Sequence, residues 1–200
     1  MVSGPLAAFQ ERPGLAIGLG VGVLVLVTGL AFVLTQTRVY ERPPTPAEQA
    51  AMVTLEDLLG SVPEGSGQAE SLVRAFPSMP MLWLNYRRGG PVQLRSHLLR
   101  YDDVELAKQG VERFSDGDRQ WVQRLDLAPL PLPSCVDAGT LHATAATEGS
   151  EAGFVLTARA SGSYVHVSGT GWAPVDTASL SAGLCPSLQQ LHDLPFPPIE

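Results

Sequence analysis

The chain has 200 residues, of which 44% are hydrophobic, and its formal net charge is −7 at pH 7. This length allows one domain, or one domain plus a membrane anchor. The negative charge argues against non-specific binding to nucleic acid or anionic lipid, because both need a positive field. Lys108 is the only lysine and no Gly-Lys-Ser/Thr sequence occurs, which excludes a P-loop.

Residues 14–34 contain no charged side chain. Twenty residues of helix span about 30 Å, the thickness of a bilayer's hydrocarbon core. A cleaved signal and a soluble core helix are the alternatives, although the first has a shorter apolar region and the second is seldom apolar on every face. We predict a cytoplasmic N-terminus at 1–13, a transmembrane helix at 14–35, a Pro-rich linker at 36–46 and an extracytoplasmic domain at 47–200.

The short N-terminus favours a signal-anchor orientation with the domain outside, although the balance of positive charges on the two sides is close to even. The expected location is therefore the bacterial cytoplasmic membrane, single-pass, with a periplasmic C-terminal domain. Three glycines spaced by four form two overlapping G-x-x-x-G units, which place a smooth groove on one helix face. This pattern is typical of packing against another transmembrane helix; the residues are Gly14, Gly18 and Gly22.

Helical patterns dominate the first part of the predicted domain. Residues 45–60 read as one helix, with Thr45 as N-cap, Pro46 in the first turn, Glu48 completing a capping box and Gly60 ending the helix. Residues 69–76 and 102–114 are predicted as two further helices, the last capped by Asp102.

The remaining patterns indicate strands. Residues 81–101 predict a β-hairpin around Gly89-Gly90, and Pro91 suggests that its second strand lies at an edge. Residues 121–127, 140–147, 153–160 and 163–169 read as short strands, and 185–194 as one or two helical turns. We therefore predict an α+β fold with helices early and a small antiparallel β-sheet late.

Cys135 and Cys185 are the only cysteines and lie 50 residues apart. In an exported domain, two cysteines most simply form one disulfide, with two separate thiols as the alternative. No C-x-x-C sequence supports a redox or metal site.

The four histidines lack the spacing by which one helix or strand presents two metal ligands; they are His97, His142, His166 and His192. No G-x-S-x-G or H-E-x-x-H motif occurs, and no cofactor is predicted. A catalytic site assembled from distant residues remains an alternative, because many enzymes have no linear motif.

The segment WLNYRRGGPVQLR concentrates aromatic and arginine side chains in an otherwise acidic chain. Trp, Tyr and Arg are enriched in binding hot spots. The predicted partner contacts are Trp83, Tyr86, Arg87, Arg88 and Arg95. The alternative is a hairpin whose aromatic residues face the core and whose arginines are solvated or paired.

Residues 153–175 resemble the central hairpin of bacterial SH3-like domains. In that family a Trp/Tyr-x-x-Val strand pairs with a Gly-Trp-Val strand, which Tyr164, Val165 and Val167, and then Gly171 and Trp172, would match. The resemblance implies binding of a cell-wall peptide or a protein ligand. It covers about 23 residues and departs from the family pattern at Ala173-Pro174.

Binding fits these observations better than catalysis does. We expect a non-catalytic accessory or scaffolding subunit of a membrane protein complex, whose partners are membrane lipid and other transmembrane subunits, and not nucleic acid. A cell-wall or peptide-binding SH3-like module is one alternative, and an enzyme is the other.

Overall fold

The computed structural model describes residues 40–75, 81–109, 122–123, 126–144, 151–174 and 176–196. Eight β-strands occur in these ranges: β1 (Tyr40–Arg42), β2 (Ala69–Ala75), β3 (Met81–Arg88), β4 (Gln93–Tyr101), β5 (Ala128–Leu130), β6 (Ala138–Thr144), β7 (Gly153–Ala160) and β8 (Ser163–Thr170). Three helices accompany them: α1 (Pro46–Ala50), α2 (Leu55–Leu59) and α3 (Thr177–Asp193). Residues 104–109 are also helical.

The eight strands form one antiparallel sheet in the order β1-β2-β3-β4-β8-β7-β6-β5. Two meanders of four strands each are therefore joined through their last strands, β4 and β8. The turn between β7 and β8 has Ser161 at φ 40° and Gly162 at φ 83°. Two left-handed residues in succession match the twist of a tight hairpin, which explains the glycine.

Alternate residues along the strands give the sheet an apolar face, and the helices cover it. The fully buried side chains on this face include Val73, Leu84, Leu98, Leu156 and Val165. They form one core with the apolar residues of α2 and α3. Because side chains alternate, the neighbouring positions lie on the opposite face. We call it the helix-free face because, in the described part of the chain, α2 and α3 pack on the other side of the sheet.

Two buried serines hold the connector between α1 and α2. On β4, Ser96 Oγ donates a hydrogen bond to the carbonyl of Val53 (3.0 Å), and on α3, Ser187 Oγ donates to the carbonyl of Met52 (3.3 Å). Met52 and Val53 are themselves almost fully buried. The connector therefore lies between sheet and helix with two of its carbonyl groups satisfied, as buried backbone requires.

The predicted capping at Thr45 is present. Thr45 N donates to Glu48 Oε2 (2.8 Å) and Glu48 N donates to Thr45 Oγ1 (3.3 Å). Arg42 of β1 also donates to both oxygens of the buried Glu48 carboxylate, at 2.5 and 2.6 Å. Burial raises the pKa of Glu48, but the hydrogen bonds from Arg42 and Thr45 outweigh it and leave the pKa below its usual value.

Cys135 and Cys185 form a disulfide with an S–S distance of 2.02 Å. The bond links the loop before β6 to the middle of α3 and closes a segment of 50 residues. A disulfide that closes a loop of this size stabilises the fold by roughly 3–4 kcal/mol, because it lowers the conformational entropy of the unfolded chain.

The predicted fold class, an α+β fold with helices early and a small antiparallel sheet late, is wrong. The described residues form mainly an eight-stranded antiparallel sheet, and strands occur early as well as late. Residues 69–75, predicted as helix, form β2, and residues 122–123, predicted as strand, are helical. The final helix is longer than expected, because α3 begins at Thr177 and includes Pro186.

Three boundaries also differ from prediction. The single helix expected at 45–60 is two helices, because Thr54 forms a second capping box with Asp57 and starts α2. The strand after Pro91 is central rather than at an edge: Pro91 precedes β4, which pairs with both β3 and β8. The helix-starting side chain near residue 102 is Asp103, whose carboxylate accepts the Glu105 amide at 2.8 Å.

The predicted membrane span at 14–35 and its three glycines lie outside the described residues. Within the described part of the chain, no helix is both long and apolar enough to cross a membrane. Strand β1 begins at Tyr40, so part of the segment predicted as a linker pairs with the sheet.

Gly183 provides a test of how closely α2 and α3 pack. A Cβ atom at this position would lie 2.4 Å from the carbonyl oxygen of Asp57. Replacing glycine by alanine normally stabilises a helix, but here we expect Gly183→Ala to lower the free energy of unfolding by about 1–3 kcal/mol through overpacking. Denaturant unfolding would measure the change.

The neighbouring exposed residue Ala182 supplies the matched control. Ala182→Gly should cost about 1 kcal/mol from helix propensity alone. A Gly183→Ala variant that is more stable than the wild type would contradict the close approach of the two helices.

Candidate functional site

A groove of about 480 Å³ opens on the helix-free face across β2, β3 and β4. We call it the arginine groove and define it by the side chains of Glu70, Leu72, Arg74, Trp83, Asn85, Arg87, Arg95 and His97. Other residues of this face are buried: Met81 of β3 and Leu99 of β4 are at most 8% exposed, and Val155, Thr157 and Tyr164 of β7 and β8 are at most 2% exposed. The groove therefore occupies a more accessible part of the helix-free face.

The strand register arranges the groove side chains in three rows across the sheet. One row joins Glu70, Arg87 and Arg95, the second joins Leu72, Asn85 and His97, and the third joins Arg74 and Trp83. Residues in one row are direct neighbours on adjacent strands, where Cβ atoms lie about 5 Å apart. Each row therefore brings its side chains together irrespective of their distance in the sequence.

Arg87 and Arg95 are direct cross-strand partners, and both are exposed. Neither makes an ion pair with any residue that the structure describes. Two like charges at directly opposed positions destabilise a sheet. The pair therefore leaves two adjacent guanidinium groups available to an anion.

Arg74 differs from this pair because its charge is already partnered. Its Nη2 lies 2.7 Å from Glu41 Oε1 on β1, and its Nε donates to the same oxygen at 2.8 Å. The guanidinium also lies 4.7 Å from the centre of the Trp83 ring, a cation–π contact. Arg74 thus positions Trp83 at the floor of the groove.

His97 lies in the middle of the groove. Its Nδ1 is 2.6 Å from Asn85 Oδ1, and since a carbonyl oxygen only accepts, Nδ1 is the donor. The His97 ring lies 5.8 Å from the ring of His166, and Trp83 contacts it edge-on at 6.2 Å. The Asn85 side-chain nitrogen Nδ2 is buried and has no hydrogen-bond partner among the described residues.

Burial lowers the pKa of His97 to about 4, and the nearby charges of His166, Arg95 and Arg74 act in the same direction. His97 is therefore neutral at pH 7, and its hydrogen bond to Asn85 is between uncharged groups. The positive charge of the groove at neutral pH comes from its arginines.

The structure separates the five predicted partner contacts. Trp83, Arg87 and Arg95 lie together in the groove. Tyr86 also borders the groove, but it is only 4% exposed and belongs to the core under the helices. Arg88 also alternates away from the helix-free face, and its Nε donates to the carbonyl of Gly67 at 3.0 Å.

Sequence reasoning missed five of the eight groove residues, which are Glu70, Leu72, Arg74, Asn85 and His97. The three on β2 were missed because the sequence pattern of this strand predicts a helix. Asn85 and His97 carried a usable signal, since Trp83-x-Asn85-x-Arg87 and Arg95-x-His97 alternate with apolar residues as a two-sided strand requires. Reading both strands of the hairpin by period two would have placed them beside the arginines.

The groove has the chemistry of a recognition site. It offers an aromatic floor and two guanidinium groups that make no ion pair with the described residues. In the described ranges, no group of three or more His, Cys, Asp and Glu side chains is arranged to hold a metal ion. Convergent polar groups around an apolar floor are typical of ligand-binding sites.

The sequence matches no protein-family model, no curated protein and no solved structure. Of the residues that resemble an SH3-like hairpin, 153–160 and 163–170 form the antiparallel pair β7 and β8. Gly171 and Trp172, however, follow the end of β8 without forming a second strand, and Trp172 packs against Phe154 with ring centres 5.1 Å apart.

The lowered pKa of His97 predicts a pH-dependent stability. The unfolded chain binds a proton near pH 6.5 and the folded chain only near pH 4, so protonation favours unfolding as the pH falls between these values. Between pH 6.5 and pH 4 we expect the free energy of unfolding of the wild type to fall by up to about 3 kcal/mol more than that of a His97→Gln variant. Urea unfolding at a series of pH values would measure how the free energy of unfolding of each protein changes with pH.

The difference in free energy of unfolding between the two proteins should be constant above pH 7, where His97 is neutral in the folded and the unfolded state. An unchanged slope in the His97→Gln variant would show that other groups produce the pH dependence.

Proposed function

We propose that this chain is a non-catalytic accessory or scaffolding subunit of a membrane protein complex, whose extracytoplasmic domain binds a partner through the arginine groove. The observation that carries this proposal is the groove itself. Exposed Arg87 and Arg95, which make no ion pair with the described residues, lie beside Trp83 on the face opposite α2 and α3. Arginine and tryptophan are the residue types that dominate binding energy at protein interfaces.

Two further observations support the proposed location. The disulfide between Cys135 and Cys185 suits an oxidising compartment outside the cytoplasm. The uncharged residues 14–34 have the length of a membrane span, and they precede the sheet by only a few residues. A domain attached so closely to a span would act near the membrane surface, where the partners would be other membrane subunits.

A photo-crosslinking experiment tests the groove as the partner site. The full-length chain would carry benzoylphenylalanine in place of Glu70, an exposed residue of the groove, and be expressed in its native host. Irradiated membranes should give a discrete adduct with a membrane protein. The control places the same crosslinker at Glu56, an exposed residue of α2 on the helix side.

The adduct should form from position 70 and not from position 56. Adducts from both positions, or from neither, would overturn the groove as partner site. An adduct consisting of cell-wall fragments would favour the alternative of a wall-binding module.

The predicted packing groove in the span gives a second test. Gly18→Leu combined with Gly22→Leu would fill the smooth helix face, so co-purification of the crosslinked partner in mild detergent should fall severalfold. Leucine on another face, at Ala16 and Val23, provides the control, because the apolar length of the span is kept. Equal recovery with all variants would show that the glycines are not a contact.

A further inference from the structure

We propose that the arginine groove recognises an acidic peptide segment, seating one carboxylate between Arg87 and Arg95 and a neighbouring apolar side chain against Trp83. This inference rests on the proposed function and names the chemistry of the partner. It is argued from the charges, the apolar floor and the exposed sheet edge beside the groove.

The two unpaired arginines select for an oxyanion. Arg87 and Arg95 lie directly opposite each other on neighbouring strands. They make no ion pair with the described residues although acidic residues outnumber basic ones in this chain, whose net charge is −7. The nearest acidic neighbour in their row is Glu70, the cross-strand partner of Arg87, and it lies beyond ion-pair distance of both arginines. A carboxylate bound between the two guanidinium groups would relieve their repulsion and accept paired hydrogen bonds.

Glu70 also limits the charge that the groove accepts. A second negative charge beside it would be repelled, which favours a monoanionic carboxylate over a doubly charged phosphate. The net negative charge of the chain opposes an extended anionic surface such as a lipid bilayer. These charges together favour a single carboxylate on an otherwise uncharged segment.

The floor of the groove suits the rest of a peptide. Leu72 and Trp83 are half-buried and offer an apolar surface beside the arginines.

The sheet edge beside the groove is open to an extended backbone. Strand β1 pairs only with residues 73–75 of β2, and Pro43-Pro44 end the ladder because proline has no amide hydrogen. Residues 69–72 of β2 therefore have no strand partner on this side among the described residues. An added strand is a common mode of peptide recognition, and it favours a peptide over a small carboxylic acid.

Calorimetric titration of the full-length chain in mild detergent tests this inference. The probes are three capped pentapeptides with a central glutamate flanked on both sides by leucine, valine or phenylalanine, each paired with its glutamine counterpart. At least one glutamate peptide should bind about tenfold or more tightly than its glutamine counterpart, because a charge-assisted pair is lost in the latter. Arg87→Gln and Arg95→Gln should each abolish that preference.

Arg88→Gln is the matched control, because it removes the same charge from the next residue on the other face of the sheet. It should keep the preference for glutamate. Glu70→Gln should strengthen binding of the glutamate peptide severalfold by removing a like charge. The thermal midpoints of Arg87→Gln and Arg95→Gln should equal or exceed that of the wild type, since each relieves the repulsion between the two arginines.

Several outcomes would overturn the inference. They are equal binding of glutamate and glutamine peptides, no binding of any probe up to about 1 mM, tighter binding of the corresponding phosphoserine peptide, and binding of phosphatidylglycerol vesicles that Arg95→Gln abolishes. If the adduct from position 70 still forms in any of these cases, the groove remains the proposed partner site and only the recognition of a carboxylate is contradicted. If that adduct is missing as well, the proposed function and the recognition of a carboxylate are both contradicted.

Discussion

The period-two alternation of apolar side chains along the strands is the constraint on which the rest of this structure depends. Leu84 and Leu98 on neighbouring strands lie opposite each other on the covered face, and Val165 and Ala158 continue the same row across the joined meanders. Each side chain is at most 1% exposed. These apolar side chains are shielded from water only if helices cover them, so α2 and α3 must pack on that face. The other face is thereby free to carry arginine, histidine and asparagine.

The helices on the covered face are held by packing and by a few polar contacts. Ser96 and Ser187 bind the carbonyl groups of the connector from opposite sides, so the chain between α1 and α2 can pass through the core without unpaired backbone groups. Gly183 lets α3 approach Asp57 closely. The disulfide from Cys185 then fixes α3 to the loop before β6, far along the chain from β4. These contacts join the two meanders through a shared helical layer as well as through the pairing of β4 with β8.

Local signals in the sequence predicted the features that depend on neighbouring residues. The capping box at Thr45, the turn at Gly89-Gly90 and the hairpin around Gly162 each depend on a few adjacent residues, and all three are present. Strand β2 was misread because its short run of Leu72 and Val73 fits a helix and a strand equally well, and only pairing with β3 decides between them. The row that unites Glu70, Arg87 and Arg95 was beyond sequence reasoning for the same reason, because it depends on register.

The arginine groove shows why polar residues on a sheet can be informative about function. A face that served only solubility would pair its charges across strands, as Arg74 does with Glu41. Arg87 instead has Glu70 as one cross-strand partner and Arg95 as the other, yet makes no ion pair with the described residues. By the cross-strand rule the Arg87–Arg95 pair costs some stability, which the opposed charge of Glu70 offsets only in part because it forms no close ion pair. A stability cost concentrated beside an aromatic floor and an open strand edge is the expected mark of a surface shaped by what it binds.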